Sequence, residues 1–178
     1  MKRIFIAIKT EEELQGRVLE WRGQQQVTSD MRQVRWIAPK NLHVTLVPPW
    51  NTEELKVQSE KLKVVKSKPF DISFNKISFG PNEREPRMIW LSGEAGKEIL
   101  DLRFKILDSL GQKPDARPFK LHVTLARFKS EDFRNFETKK LNEIVDWRMR
   151  VKSFVLMESH LLPSGADYEV LEQFELKA

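Results

Sequence analysis

No cysteine occurs among the 178 residues. That excludes disulfides, a thiol nucleophile and thiolate-held zinc together, and it fits a cytoplasmic setting. Histidine is nearly as scarce, with three in the chain. No apolar run approaches the roughly 20 residues that a membrane helix needs. The opening Met1-Lys2-Arg3 is followed by IFIAI, too short for the apolar core of a signal peptide. No membrane partner is expected. No Gly/Ser-rich linker interrupts the chain, so residues 1–178 read as a single domain.

What is present is a soluble, basic composition. Hydrophobic residues make up 40% and charged residues 32%, which suits a folded core rather than a disordered chain. Lys and Arg outnumber Asp and Glu by 31 to 26, for a net charge of +5 and a pI near 9.4. That balance is compatible with a polyanionic partner such as nucleic acid. A monomer is the default expectation.

Periodicity supplies the elements. Residues 3–8, RIFIAI, alternate as a strand, with Ile4, Ile6 and Ile8 on one face and Phe5 and Ala7 on the other. Thr10 to Glu13 has the form of a capping box, so a helix is expected to about Arg22 with Leu14, Val18 and Trp21 inward. Residues 23–34 read as a loop. A strand over 41–47 should end at Pro48-Pro49, because proline lacks the ladder amide. A helix over 52–66 follows, capped by Asn51, with Leu55, Leu62 and Val65 inward and the lysines from Lys56 to Lys68 on its solvated face. Strands are expected over 70–78 and 87–92, with a turn at Gly80-Pro81-Asn82 between them. A helix over 94–110 should stop at Gly111. A strand over 119–128, a short helix within 131–144 and strands over 149–158 and 167–175 complete the chain.

One word is spelled twice. LHVTL runs from Leu42 to Leu46 and again from Leu121 to Leu125, and it holds two of the three histidines, His43 and His122, 79 residues apart. Each copy is expected to follow a helix and to precede a helix and then a strand pair, so the chain reads as two similar lobes. In a strand, Leu42, Val44 and Leu46 point one way and His43 and Thr45 the other. His122 and Thr124 repeat the arrangement. Two strands lining one cleft would present two imidazoles and two hydroxyls.

That set suits phosphoryl transfer. An imidazole titrates near pH 6.5, so one neutral and one protonated histidine can serve as base and acid around neutral pH. Threonine hydroxyls can donate to non-bridging phosphate oxygens. Such chemistry rests on positioning and charge stabilisation and requires no metal or cofactor. A metal site is disfavoured, since neither histidine has a carboxylate or second histidine at local ligand spacing. Arg127 follows the second motif and is well placed to reach a phosphate, although simple alternation puts it on the opposite face unless the strand bends. The first copy continues Val47-Pro48-Pro49-Trp50 with no cation there, but Arg35 and Lys40 lie just upstream.

These features resemble the two-histidine phosphoesterase superfamily, and within it the RNA 2′,3′-cyclic phosphodiesterase or 2′-5′ RNA ligase family. RIFIAI is similar to that family's opening strand. RWIAPKNLHVTL and FKLHVTLARFK resemble its two His-x-Thr motifs with their flanks, and SHLLPSGADYEVL its closing segment. The chain departs from the usual pattern at Val47 to Trp50 and at Leu121, where relatives often carry proline. The resemblance implies an α+β fold, bilobal, with two pseudo-twofold related lobes of mainly antiparallel sheet and outer helices around a central cleft. It implies hydrolysis of RNA 2′,3′-cyclic phosphate ends to 2′-phosphates. His43 would act as general acid on the leaving 3′ oxygen and His122 as general base on water. Thr45, Thr124 and Arg127 would bind the phosphate.

Other residues have open readings. Phe5 either lines the cleft and stacks on a base or fills the core between lobes. Trp36, Trp50 and Trp90 are expected to pack, with one of them free to stack on RNA. His160 lies outside the motifs and reads as structural, as do Ser159 and Tyr168. The partner is RNA with a 2′,3′-cyclic phosphate end, or a related cyclic nucleotide. Two further functions fit the same residues: joining such an end to a 5′-hydroxyl in a 2′-5′ linkage, or holding RNA ends without turnover.

Overall fold

The computed structural model describes residues 1–25, 29–163 and 165–177. Its strands are β1 (Lys2–Lys9), β2 (Arg35–Trp36), β3 (His43–Thr52), β4 (Phe70–Gly80), β5 (Met88–Gly93), β6 (Leu121–Arg127), β7 (Asn142–Val151), β8 (Ser153–Leu162) and β9 (Gly165–Glu175). Its α-helices are α1 (Glu12–Gln25), α2 (Leu55–Leu62) and α3 (Lys97–Leu110). The strands form one antiparallel sheet in the order β7-β4-β5-β6-β3-β1-β8-β9, and the short β2 pairs with β6. This is an α+β fold built on mainly antiparallel sheet.

One face of the sheet carries the main core. Ile4, Ile6, Ile8, Val44, Leu46, Val123 and Leu125 are buried there with Leu14, Val18 and Trp21 of α1 and Ile99, Leu102 and Ile106 of α3. Each such side chain stabilises the fold by about 1.5–3 kcal/mol relative to exposure. The period of two in the strands and of 3.6 in the helices therefore meet on one surface. A much smaller cluster, Phe5, Ala7, Val155 and Met157 with Tyr168 against it, sits on the opposite face of β1 and β8.

Several sequence expectations shift. α1 begins at Glu12, and the Thr10 hydroxyl donates to the Leu42 carbonyl oxygen at 3.0 Å. Thr10 thus ties β1 to the start of β3 instead of closing a capping box. Of the loop expected over 23–34, residues 23–25 belong to α1, Ser29–Gln33 form a 3₁₀ turn, and residues 26–28 lie outside the described residues. β3 runs through Pro48-Pro49 to Thr52, so Asn51 is a strand residue and α2 is shorter than its polar periodicity implies. The prolines are tolerated because the ladder is irregular there: Ile6 pairs with Val47 and Ile4 with Trp50, leaving both prolines in a bulge opposite Phe5. α3 stops as expected, with Gly111 in the left-handed region at φ 69°. The helix expected within 131–144 is only a 3₁₀ turn, Asp132–Asn135. The strand β7 was not anticipated, although Val145, Trp147, Met149 and Val151 alternate inward along it.

Candidate active site

The two LHVTL strands are neighbours at the centre of the sheet. Val44 on β3 pairs with Val123 on β6. Carried one residue either way, this antiparallel register sets His43 against Thr124 and Thr45 against His122. All four side chains are half-buried, while the flanking Leu42, Val44, Leu46, Leu121, Val123 and Leu125 are buried. The motif thus uses its apolar positions to anchor each strand and its polar positions to furnish the other face.

Both copies contain the same irregularity. On β3, Thr45 pairs with Ala7 and Val47 with Ile6, so Leu46 is an extra residue. On β6, Thr124 pairs with Trp90 and Ala126 with Ile89, so Leu125 is an extra residue. Each bulge reverses the alternation that follows it. In β6 the consequence is chemical. Ala126 becomes core, and Arg127, opposite Met88, moves onto the face of His122 and Thr124. The bend needed to bring Arg127 to the histidines is therefore built into the second motif. In β3 the equivalent position is Pro48.

The two imidazoles are held alike. His43 donates from Nδ1 to the Asn41 carbonyl oxygen at 2.7 Å, and His122 from Nδ1 to the Lys120 carbonyl oxygen at 2.8 Å, with Nδ1 protonated in each. Each bond runs to the residue two before the histidine and fixes the tautomer, so the Nε2 lone pair is the free one in the neutral ring. Aromatic rings hold the orientation. Phe5 and Tyr168 flank His43 at centroid distances of 5.1 and 5.0 Å, the Tyr168 ring edge-on. Trp90 lies against His122 at 4.7 Å and donates its indole N–H to the Ser78 hydroxyl at 3.1 Å.

Burial in this cage pushes His43 from an ordinary 6.5 down to about 4, against the opposing pull of its bond to Asn41 and with help from the nearby charges of Arg127 and His122. His122 is also lowered, again chiefly by burial, partly offset by the Lys120 carbonyl and reinforced by the charges of Arg127 and Lys120. Both rings are accordingly neutral at pH 7. An anionic phosphate placed beside them would reverse the charge effect and draw in a proton.

The site opens into a cavity of about 700 Å³ lined by His43, Thr45 and Arg127 together with Arg3, Arg35 and Lys40. A second hollow, of about 310 Å³, reaches Thr45 and His122 from the side of Lys120 and Arg117. The structure brings His43, Thr45, His122, Thr124 and Arg127 to one face. Phe5 borders the cavity but is 1% exposed, its ring enclosed by His43 and Tyr168, which leaves no open face for a base. Trp36 stacks edge-on against Trp21, and Trp50 packs on the core. His160 faces Glu169 at 3.2 Å. Glu158, His160 and Glu169 lie close enough to share an ion, but Glu158 already holds the Lys2 ammonium at 2.5 Å. Tyr168 and Trp90, read from sequence as structural or packing residues, prove to be the walls of the two imidazoles. Tyr168 lies in the closing segment SHLLPSGADYEVL, but no local pattern ties it or Trp90 to a histidine, since each reaches its ring through strand register.

The profile of the 2′-5′ RNA ligase superfamily matches residues 10–161, and the chain belongs to that superfamily. Among its relatives is a protein of Methanothermobacter thermautotrophicus named RNA 2′,3′-cyclic phosphodiesterase, 31% identical over 98% of either chain. A protein of the same name from Archaeoglobus fulgidus is 29% identical, over 97% of this chain and 99% of its own. The crystal structure of TT0787 of Thermus thermophilus superimposes with a TM-score of 0.79 at 26% identity, covering 98% of this chain and 97% of that one. E. coli LigT, in a crystal structure complexed with 3′-AMP, has the same fold at a TM-score of 0.78 and 23% identity, over 99% of both chains. Among the described residues no helix is long and apolar enough to cross a membrane.

Proposed function

We propose that this protein hydrolyses RNA 2′,3′-cyclic phosphate ends to 2′-phosphomonoesters by metal-independent acid–base catalysis. The observation that carries this reading is the matched pair of Nδ1 bonds, to Asn41 and Lys120, which leaves Nε2 of both histidines free beside two threonine hydroxyls and one guanidinium. The two runs of four strands that meet at β3 and β6 would act as two lobes of one domain, with the reacting phosphate between them.

In this mechanism His122 Nε2 takes a proton from water as the water oxygen bonds to phosphorus. His43 Nε2 gives a proton to the 3′ oxygen as the bond from that oxygen to phosphorus breaks. The 2′ oxygen keeps the phosphate. Thr45 and Thr124 donate to non-bridging oxygens, and Arg127 balances the negative charge that grows in the transition state. The anionic phosphate favours the protonated ring of His43, so the substrate itself helps to place the proton that the leaving oxygen takes. His122, neutral at pH 7, is ready as base.

The superfamily's name favours a second reaction at the same atoms. A 5′-hydroxyl in place of water would yield a 2′-5′ linkage with the same proton transfers. One assay separates the two. A cyclic-phosphate RNA is incubated with and without a 5′-hydroxyl RNA, and 2′-phosphate and joined product are followed together. A 2′-phosphate formed in both mixtures establishes hydrolysis. Joined product without 2′-phosphate would replace it with ligation.

A further inference from the structure

Arg35 and Arg127 stand directly opposite one another across the β2–β6 pair. Like charges in that position repel, and stable sheets normally oppose such residues with the other sign. Here no acid relieves them. Among the described residues the guanidiniums of Arg3, Arg35 and Arg127 have neither a carboxylate partner nor a hydrogen bond, and all three border the cavity that contains His43. The cavity's carboxylate, Asp167, is already held by Lys40 at 3.0 Å and by Asn41 at 3.3 Å. The Arg35 guanidinium lies beside Gly165 at the tip of the β8–β9 hairpin. A Cβ there would come within 3.3 Å of its Cζ, so the hairpin tip borders Arg35 closely. Cations gathered unpaired around one hollow form a place for anions.

The three do not serve one phosphate. Arg127 is the arginine whose charge bears on both imidazoles, which puts it at the reacting group. Arg35 stands one strand further out on β2, and Arg3 lies on β1 beyond Thr45. We infer that Arg35 and Arg3 form a second phosphate subsite, which takes the phosphodiester one nucleotide upstream of the cyclic end. The natural substrate is then an RNA chain and not a cyclic mononucleotide. This rests on the proposed binding of a cyclic phosphate between the histidines.

Three substrates test it: a cyclic mononucleotide, a dinucleotide with the same cyclic end, and that dinucleotide with an uncharged methylphosphonate linkage. The wild-type protein should show kcat/KM about tenfold or more higher for the phosphodiester dinucleotide than for the methylphosphonate, the worth of one charge-assisted contact. In Arg35→Gln and Arg3→Gln that ratio should shrink toward one. In Arg148→Gln, a charge removed on distant β7, it should persist. Equal use of both dinucleotides by the wild type, or an equal loss of preference in Arg148→Gln, overturns the inference. Calorimetric binding of the corresponding 2′-phosphate forms gives the same comparison without turnover. Absence of hydrolysis with the binding preference intact would count against the proposed reaction and leave the subsite standing. Absence of the preference in binding as well would overturn the subsite.

Discussion

Val44 lies directly opposite Val123, and this buried valine pair is the point about which the two His-x-Thr strands are matched. Each histidine thereby faces the threonine of the other copy. The repeat in the sequence is thus a repeat in space, with the same bulge after each threonine and the same carbonyl two residues before each histidine. Neither motif forms the site alone.

The cage around His43 ties its proton affinity to stability. Its folded pKa, about 4, lies below the 6.5 of the unfolded chain, so the unfolded state binds more protons between those values. Stability is fully present above pH 6.5 and is lost as the pH falls toward 4, by on the order of 3 kcal/mol from this residue. His122 adds to the loss in the same direction. Asp30, Asp115 and Asp167 are lowered from 3.8, so their contributions fade only at more acidic pH. Thermal melting between pH 7 and 4.5 should show a falling midpoint, at roughly 2–4 °C per kcal/mol for a chain of this size. In His43→Gln the slope should be clearly shallower. An unchanged slope would contradict the assigned burial.

Tyr168 sets that burial from one side. Removing its ring in Tyr168→Ala admits water to His43 and should raise the imidazole toward 6.5. Proton-detected titration of the histidine ring measures this directly. A value that stays near 4 would show that Phe5 and the sheet suffice.

The bulge at Leu125 assigns Arg127 to the histidine face. Arg127→Gln should lower kcat/KM by about a hundredfold, the scale of losing one donor to developing charge. The same substitution removes a positive charge that depresses both histidines, so both should titrate at higher pH. A surface cation elsewhere would alter neither.

The threonine hydroxyls are available for substrate. Thr124 has only a long contact, 3.9 Å, to the Met88 sulfur. Thr45→Val and Thr124→Val preserve shape and strand preference, and each should cost about tenfold in kcat/KM at unchanged melting temperature. Full activity in both variants would remove the hydroxyls from phosphate binding.

Local chemistry in the chain was legible wherever one element settled it. Alternation placed His43 and Thr45 opposite Val44, and Gly111 marked the end of α3, because pleat and cap are properties of a few adjacent residues. Features that depend on a partner strand were not legible. Pro48 and Pro49 looked like a strand end, yet β1 accommodates them in a bulge. Simple alternation sets Arg127 on the face opposite the histidines, and the extra residue Leu125, defined by pairing with β5, reverses it. β7 was hidden because Ile144 is exposed among its charged residues and its alternation begins only at Val145. Tyr168 and Trp90 reach the histidines from β9 and β5, across pairings that no local pattern announces.

The most direct test follows the phosphorus. A short RNA ending in a 2′,3′-cyclic phosphate is incubated with the protein in EDTA, with His43→Ala and His122→Ala alongside, and the product is identified by phosphorus NMR. The account predicts a 2′-monoester from the wild type and a loss of about 10²–10⁴ in rate for either variant. A 3′-monoester, a reaction abolished by EDTA, or full activity in both variants would contradict it.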